Sequence, residues 1–160
     1  MKILVTGGVA LVVLISFFVM RDWAFNKMVN SLLSDKVEMI NPEEVKLKNY
    51  IILDAREKNE FEVSHLPGAV WVGFDDFDIN RVEASKDQDI LVYCSIGKRS
   101  DDIALKMQDK GFTNVKNLHG GIFKWANQKF ELQNEFGNTN KVHTYNLSWS
   151  IWVKNVEKVY

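Results

Sequence analysis

The chain has 160 residues, of which 46% are apolar and 26% charged, and its formal net charge is −1. These values are ordinary for a globular protein of one domain, and the near-zero charge gives no electrostatic case for nucleic-acid binding. The single cysteine, Cys94, excludes an internal disulfide and a cysteine-rich zinc or iron–sulfur site within one chain.

The N-terminal segment, residues 3–20, is uncharged and nearly all apolar. As a helix it would span about 27 Å, close to the roughly 30 Å hydrocarbon core of a bilayer. We therefore expect a transmembrane anchor over residues 1–21 and a single-pass membrane protein, with the side that the soluble domain faces left undetermined. A cleaved signal peptide is the rival reading, but it would need small residues near the end of the run. A buried core helix is the other alternative.

Residues 22–36 follow as a predicted juxtamembrane linker. Their apolar side chains are spaced loosely, as in the stripe of an amphipathic helix. These side chains are Trp23, Phe25, Met28, Val29, Leu32 and Leu33. We predict a helix that rests on the bilayer surface or on the domain that follows.

From residue 37 short apolar runs alternate with helical segments. The predicted strands are residues 37–40, 50–53, 69–72, 90–93 and 115–118. The predicted helices begin at Pro42 and then cover residues 57–63, 75–84, 100–110 and 122–128, with Ser100 as a helix cap. Such alternation predicts an α/β domain over residues 37–132, in which a five-stranded parallel sheet has helices on both faces.

Cys94 follows the predicted strand 90–93 and opens a short loop that leads into a helix. In parallel sheets, active sites lie beyond the carboxyl ends of the strands. Backbone N–H groups around Gly97, the positive end of the following helix, and the cations Lys98 and Arg99 all favour a thiolate. A buried structural cysteine is the alternative. We expect a reactive thiol.

Three segments resemble the rhodanese family of sulfurtransferases. The loop Cys94-Ser95-Ile96-Gly97-Lys98-Arg99 is similar to the active-site loop of that family. Residues 54–69, which begin Asp54-Ala55-Arg56, are similar to its first signature, and Leu118-His119-Gly120-Gly121-Ile122 with Trp125 to its C-terminal one. The three segments occur in the family's order and leave both ends of the chain outside the resemblance.

The resemblance implies a rhodanese-like fold and covalent sulfur transfer through a persulfide on Cys94. Four residues separate Cys94 from Arg99, whereas related phosphatases have a longer loop, so sulfur transfer is favoured over phosphate chemistry. The implied partners are a thiosulfate-like small-molecule donor and an external thiol acceptor, with no metal or organic cofactor. A non-enzymatic module that carries a persulfide or docks a partner at the membrane is the competing hypothesis.

The predicted site has one catalytic residue, Cys94. The residues predicted to bind substrate are Ser95, Ile96, Gly97, Lys98 and Arg99. Asp54, Arg56 and Ser100 are expected to support the pocket, and Arg56, Glu60 and His65 to form a polar scaffold around the turn at Gly68. The three histidines of the chain lack ligand spacing, so no metal site is predicted.

Residues 133–160 lie outside the resemblance and are rich in aromatic side chains, among them Tyr145, Trp149, Trp152 and Tyr160. We expect this C-terminal extension to pack against the domain or the membrane interface. A surface that docks a partner is the alternative.

Overall fold

A central sheet of five parallel strands organises the protein, whose computed structural model describes residues 16, 19–45 and 48–160. The strands are β1 (Glu38–Ile40), β2 (Ile51–Asp54), β3 (Val70–Trp71), β4 (Ile90–Tyr93) and β5 (Val115–Leu118). Their spatial order is β1-β5-β4-β2-β3, and every pairing among them is parallel. The predicted five-stranded parallel sheet is therefore confirmed.

Strand β4 lies at the centre of the sheet because it is apolar on both faces. Its four residues, Ile90, Leu91, Val92 and Tyr93, are all fully buried. A strand covered on both sides gives a continuous apolar run in the sequence, which is why the run predicted it well.

Six helices surround or flank the sheet in the described part of the chain. They are α1 (residues 19–32), α2 (Pro42–Val45), α3 (Lys58–Val63), α4 (Lys98–Asp109), α5 (Gly121–Asn127) and α6 (Leu147–Ser150). The C-terminal extension adds an antiparallel pair, β6 (Gln133–Asn134) with β7 (Gly137–Asn138), and a parallel pair, β8 (Lys141–His143) with β9 (Glu157–Val159).

Two apolar clusters cover the opposite faces of the sheet. Ile90 and Val92 of β4 pack in one cluster with the buried side of α4. Leu91 and Tyr93, which point to the other face because side chains alternate along a strand, pack with α1 and α5. Helices therefore lie on both faces, as the alternating pattern predicts.

The helix expected over residues 75–84 does not form. Only a 3₁₀ turn, Ile79–Arg81, occupies this stretch. The side chain of Asp78 accepts a hydrogen bond from the N–H of Asn80 at 2.9 Å. Aspartate side chains that bond the nearby backbone favour turns over helices, and this competition explains the wrong prediction.

The prediction of a single-pass membrane protein is wrong. Among residues 16, 19–45 and 48–160, no helix combines the length and the apolar character needed to cross a bilayer. The anchor predicted over residues 1–21 falls mostly on residues 1–15, 17 and 18, which lie outside the described residues. Within α1, Phe25 and Val29 are buried in the core of the domain, so this side of the helix packs against protein.

The C-terminal extension also packs against the domain. Val142 of β8 and Val153 are buried in the same cluster as Leu91. The side chain of Asn127, at the end of α5, donates a hydrogen bond to the carbonyl oxygen of Trp152 at 2.8 Å. The extension is thus held by both apolar and polar contacts.

Candidate active site

Cys94 lies directly after β4, at the carboxyl edge of the sheet and against a pocket of about 310 Å³. Its side chain is almost wholly buried, but it lines the pocket together with the loop residues Ser95, Ile96, Lys98 and Arg99. The topology of the parallel sheet therefore puts the predicted nucleophile where a small molecule can reach it.

The loop after Cys94 directs a backbone donor at the sulfur. The N–H of Gly97 donates to Cys94 Sγ at 3.1 Å. Gly97 has a φ of +114°, a conformation that residues with a Cβ rarely adopt, and it caps α4 at its N-terminus. The sulfur thus lies beside the positive end of a helix as well as a donor N–H, and both favour negative charge on it.

Helix α5 supports the loop from the other side. The N–H groups of Ile122 and Phe123 donate to the carbonyl oxygens of Cys94 and Ser95 at 2.9 and 3.1 Å. A Cβ on Gly121 would lie only 2.3 Å from the carbonyl oxygen of Cys94. The close approach therefore requires glycine at position 121.

Arg99 is bound to Glu60 of α3 instead of pointing free into the pocket. Its two terminal nitrogens donate to the Glu60 carboxylate at 2.6 and 2.9 Å, and one of them also donates to Ser95 Oγ at 2.8 Å. Ser95 Oγ in turn donates to Glu60 at 3.0 Å. The sequence predicts Glu60 in the scaffold around Gly68 and gives no sign that it holds the cysteine loop.

The Glu60–Arg99 pair is strongly ionised. Burial would raise the pKa of Glu60, but the hydrogen bond and charge of Arg99 outweigh it and lower this pKa to about 2. Burial would likewise lower the pKa of Arg99, and the bond with Glu60 raises it above the ordinary value instead. The pair therefore stays charged throughout the physiological range.

Lys98 and Ile96, both predicted to bind substrate, also line the pocket. Lys98 forms an exposed ion pair with Asp102, one turn further along α4. Among the described residues, both cations of the loop are thus matched by a carboxylate.

Asp54 and Arg56 lie below the site and do not line the pocket. Both are fully buried and form an ion pair at 2.6 Å. Asp54 also accepts a hydrogen bond at 2.5 Å from the hydroxyl of Tyr93, the residue before Cys94, and this hydroxyl accepts one from the N–H of Leu66. Any support that Asp54 gives to the pocket therefore passes through Tyr93, which the sequence analysis treated only as part of a strand.

Arg56 completes that buried cluster. It donates to the carbonyl oxygen of Ser64 at 2.6 Å. Burial would lower its pKa, but the charge of Asp54 raises it above the ordinary value. His65 lies apart from Glu60: its ring stacks on Phe61, and its Nδ1 lies 3.1 Å from the Phe61 carbonyl oxygen.

Ser100 supports the loop, although not as a helix cap. It lies inside the first turn of α4, and its hydroxyl donates to Asn117 Oδ1 at 2.7 Å while lying 3.1 Å from the carbonyl oxygen of Gly97. The amide of Asn117 donates to the same carbonyl oxygen at 2.9 Å. The cap position belongs to Gly97, because only glycine readily takes the left-handed conformation found there.

The outer wall of the pocket contains residues from outside the cysteine loop. Aromatic side chains come from the C-terminal extension and from two other segments: Tyr145, Trp149, Phe74 and Phe123. Two carboxylates, Glu57 and Asp75, complete the lining. The sequence predicts none of these six residues in the site, and its only signal for Tyr145 and Trp149 is the aromatic richness of the extension.

Metal ligands are not gathered anywhere in residues 16, 19–45 and 48–160: no three or more His, Cys, Asp or Glu side chains are arranged to hold an ion.

Comparison with known proteins finds the family that the three sequence segments resemble. A family model described as "Rhodanese-like domain" matches residues 37–128. A thiosulfate sulfurtransferase of Coxiella burnetii is 30% identical over 81 residues, which cover 51% of this chain and 76% of that protein. An adenylyltransferase and sulfurtransferase of Meyerozyma guilliermondii is 30% identical over 109 residues, 62% of this chain and 26% of that protein. The chain spans well under half the length of the first curated relatives that it matches.

Solved structures show the same fold. A rhodanese-related protein from Thermoplasma volcanium superposes with a TM-score of 0.56 at 22% identity, covering 61% of this chain and 99% of that one. A thiosulfate sulfurtransferase from Pseudomonas aeruginosa gives a TM-score of 0.57 at 21% identity, covering 69% of this chain and 22% of that one. The α/β fold implied by the three sequence segments is therefore confirmed.

Proposed function

The chain belongs to the rhodanese-like domain family, and on that premise we propose that it is a sulfurtransferase that carries sulfane sulfur as a persulfide on Cys94. The comparisons include proteins named sulfurtransferases and a putative sulfur carrier from Bacillus subtilis. The observation that carries the proposal is the position of the Cys94 sulfur and the hydrogen bond that it accepts. Cys94 Sγ borders the pocket at the end of β4 and accepts the Gly97 N–H at 3.1 Å.

In the first half-reaction the Cys94 thiolate attacks the outer sulfur of the donor. With thiosulfate, a new S–S bond forms to Cys94, the S–S bond of the donor breaks, and its electron pair leaves with sulfite. The N–H of Gly97 and the N-terminus of α4 stabilise the negative charge on the sulfur before and after transfer.

In the second half-reaction a thiolate from outside the chain attacks the outer sulfur of the persulfide. The electron pair of the breaking S–S bond returns to Cys94, so the cycle needs neither an oxidant nor a reductant. Cys94 is the only cysteine in the chain, so no second thiol of the same chain can accept the sulfur. The acceptor is therefore external.

Intact-protein mass spectrometry tests the proposal directly. After treatment with thiosulfate, or with an organic persulfide, we expect an added mass of one sulfur atom that a thiol then removes. Because the chain holds one cysteine, the adduct can be assigned to Cys94 without ambiguity. The Cys94→Ser variant should gain no sulfur and should show no turnover.

Turnover separates the enzyme from a module that only carries sulfur. Repeated release of sulfide or of a new persulfide in the presence of excess thiol supports the sulfurtransferase. A stable adduct with no release under those conditions would favour the carrier. Absence of an adduct with every donor would overturn both readings.

A further inference from the structure

The charges around the pocket are unfavourable for a small anion. Arg99 is bound by Glu60 and Lys98 by Asp102, so each cation is matched by one carboxylate. Two more carboxylates, on Glu57 and Asp75, line the same pocket. Within the described part of the chain neither of them forms an ion pair.

The thiolate itself adds a further negative charge once Cys94 is ionised. A dianion such as thiosulfate therefore meets repulsion from Glu57, from Asp75 and from the sulfur that it is to react with. Like charges brought together in this way slow association and weaken binding, and the effect is largest at low ionic strength.

The walls of the pocket suit an apolar group. Phe74 and Phe123 face it from the domain, and Tyr145 and Trp149 from the C-terminal extension. A volume of about 310 Å³ is at the lower end of the range for sites that bind small organic molecules, and aromatic walls with few polar groups are typical of such sites.

The part of the extension that supplies this wall is held in place. The N–H of Trp149 donates to the side chain of Asn146 at 3.1 Å, and the N–H of Tyr145 donates to His143 Nδ1 at 3.2 Å. Tyr145 has a φ of +67°, a costly conformation for a residue with a side chain, and the residue as a whole is more than half exposed. Costly backbone conformations of this kind cluster at binding sites.

We propose that the substrates of Cys94 are small organic sulfur compounds that carry no negative charge apart from the reacting sulfur, and that Tyr145 and Trp149 select them by contacting the apolar group attached to sulfur. The inference rests on the proposed sulfur transfer and names its substrate class. Both residues lie outside the family match at residues 37–128, in the C-terminal extension.

The step is the same in both directions and balances without a further reactant. An organic hydropersulfide, R–S–SH, gives its outer sulfur to the Cys94 thiolate and leaves as the thiolate R–S⁻. In reverse, R–S⁻ attacks the outer sulfur of the persulfide, the Cys94 sulfur takes back the electron pair, and R–S–SH leaves. The proton stays on the outer sulfur throughout.

The discharge of preloaded persulfide tests the selection. Cys94 is first converted to the persulfide with inorganic polysulfide, and its decay is followed by mass with phenylmethanethiol or with the anionic thiol 2-mercaptoethanesulfonate. After correction for the thiolate fraction of each thiol, we expect the aromatic thiol to react at least about tenfold faster, because it gains aromatic contacts and avoids repulsion.

Variants assign the preference to named residues. Tyr145→Ala and Trp149→Ala should each lower the aromatic rate several-fold, whereas Leu147→Ala, an exposed residue of the same extension that does not line the pocket, should leave it unchanged. Asp75→Asn should raise the rate with the anionic thiol about two- to threefold. Asp109→Asn, on the exposed side of α4, is the matched control.

Trp149 is half-buried, so Trp149→Ala can disturb the structure of the extension. Tyr145 is more exposed, so Tyr145→Ala tests the contact without that loss of packing. Equal discharge by the two thiols, or a preference that survives both aromatic substitutions, would overturn the inference while leaving sulfur transfer intact. Failure of every donor to load Cys94 would instead overturn the proposed function on which it rests.

Discussion

Glu60 holds the cysteine loop at the scale of a single residue. It is 1% exposed, and its carboxylate accepts hydrogen bonds from both terminal nitrogens of Arg99 and from Ser95 Oγ. These contacts join α3 to the loop that carries Cys94. A carboxylate can be buried this deeply only because the guanidinium compensates for the lost solvation.

Removing the charge of Glu60 leaves Arg99 without its counter-ion. We expect Glu60→Gln to lower the free energy of unfolding by about 3 kcal/mol, since breaking a buried ion pair leaves the remaining charge uncompensated. Urea denaturation measures this loss. Glu62→Gln, at an exposed position of the same helix, should change stability by less than about 0.5 kcal/mol. Equal effects of the two variants would contradict the importance of the pair.

The lowered pKa of Glu60 predicts a specific acid sensitivity. The carboxyl titrates near 4.5 in the unfolded chain and at about 2 in the folded protein. Its stabilising contribution is therefore complete above pH 4.5 and is lost progressively as the pH falls toward 2. Thermal melts across this window should show a steeper loss for the wild type than for Glu60→Gln. Parallel curves for the two proteins would show that Glu60 does not titrate as expected.

The carboxyl edge of the sheet is assembled by neighbouring elements, with the N-terminus of α5 beneath the loop and that of α4 beside it. Gly121 permits the first contact and Gly97 the second, one through close approach and the other through a left-handed backbone. At this scale the loop conformation depends on the helix that follows it directly and on the next helix along the chain.

Gly121→Ala tests the contact between α5 and the loop. The new Cβ would meet the carbonyl of Cys94 at 2.3 Å, so backbone must move, and we expect a loss of stability of at least about 2 kcal/mol together with slower alkylation of Cys94. Gly111→Ala is the matched control, because Gly111 also has a positive φ but has no atom within 4 Å of the added Cβ. Gly111→Ala should therefore lose only the stability that a positive φ costs a residue with a Cβ, and Cys94 should be alkylated at the normal rate.

Local patterns predicted some elements better than others. The apolar runs that begin at Ile51 and Ile90 became strands because buried parallel strands need continuous apolar residues. Residues 75–84 did not become a helix, because Asp78 competes for the backbone. Ser100 did not become a cap, because Gly97 could take the left-handed conformation three residues earlier.

The whole molecule combines three parts of the chain in one core. Helix α1, the sheet and the C-terminal extension share a single apolar cluster, in which Phe25, Leu91 and Val142 are all buried. The partners differ widely in sequence position, so the terminal segments should unfold together with the domain.

Val142→Ala tests this cooperation. Val142 is fully buried, and its truncation should cost about 2 kcal/mol and shift the unfolding of the entire protein in one transition. Tryptophan fluorescence and far-UV circular dichroism should report the same midpoint. Val70→Ala, at a site 43% exposed, should change the midpoint much less. A separate early transition in the variant would show that the extension unfolds independently.

The sequence by itself determined the strands of the sheet, the place of Cys94 at the end of β4 and the resemblance to rhodaneses, because each depends on residues that are close together in the chain. Tertiary structure alone decided that Glu60 binds Arg99, that α1 packs on the domain, and that Tyr145 and Trp149 line the pocket beside Cys94. These contacts join distant segments whose meeting depends on the path of the whole chain. No local pattern of charge or hydrophobicity specifies that path.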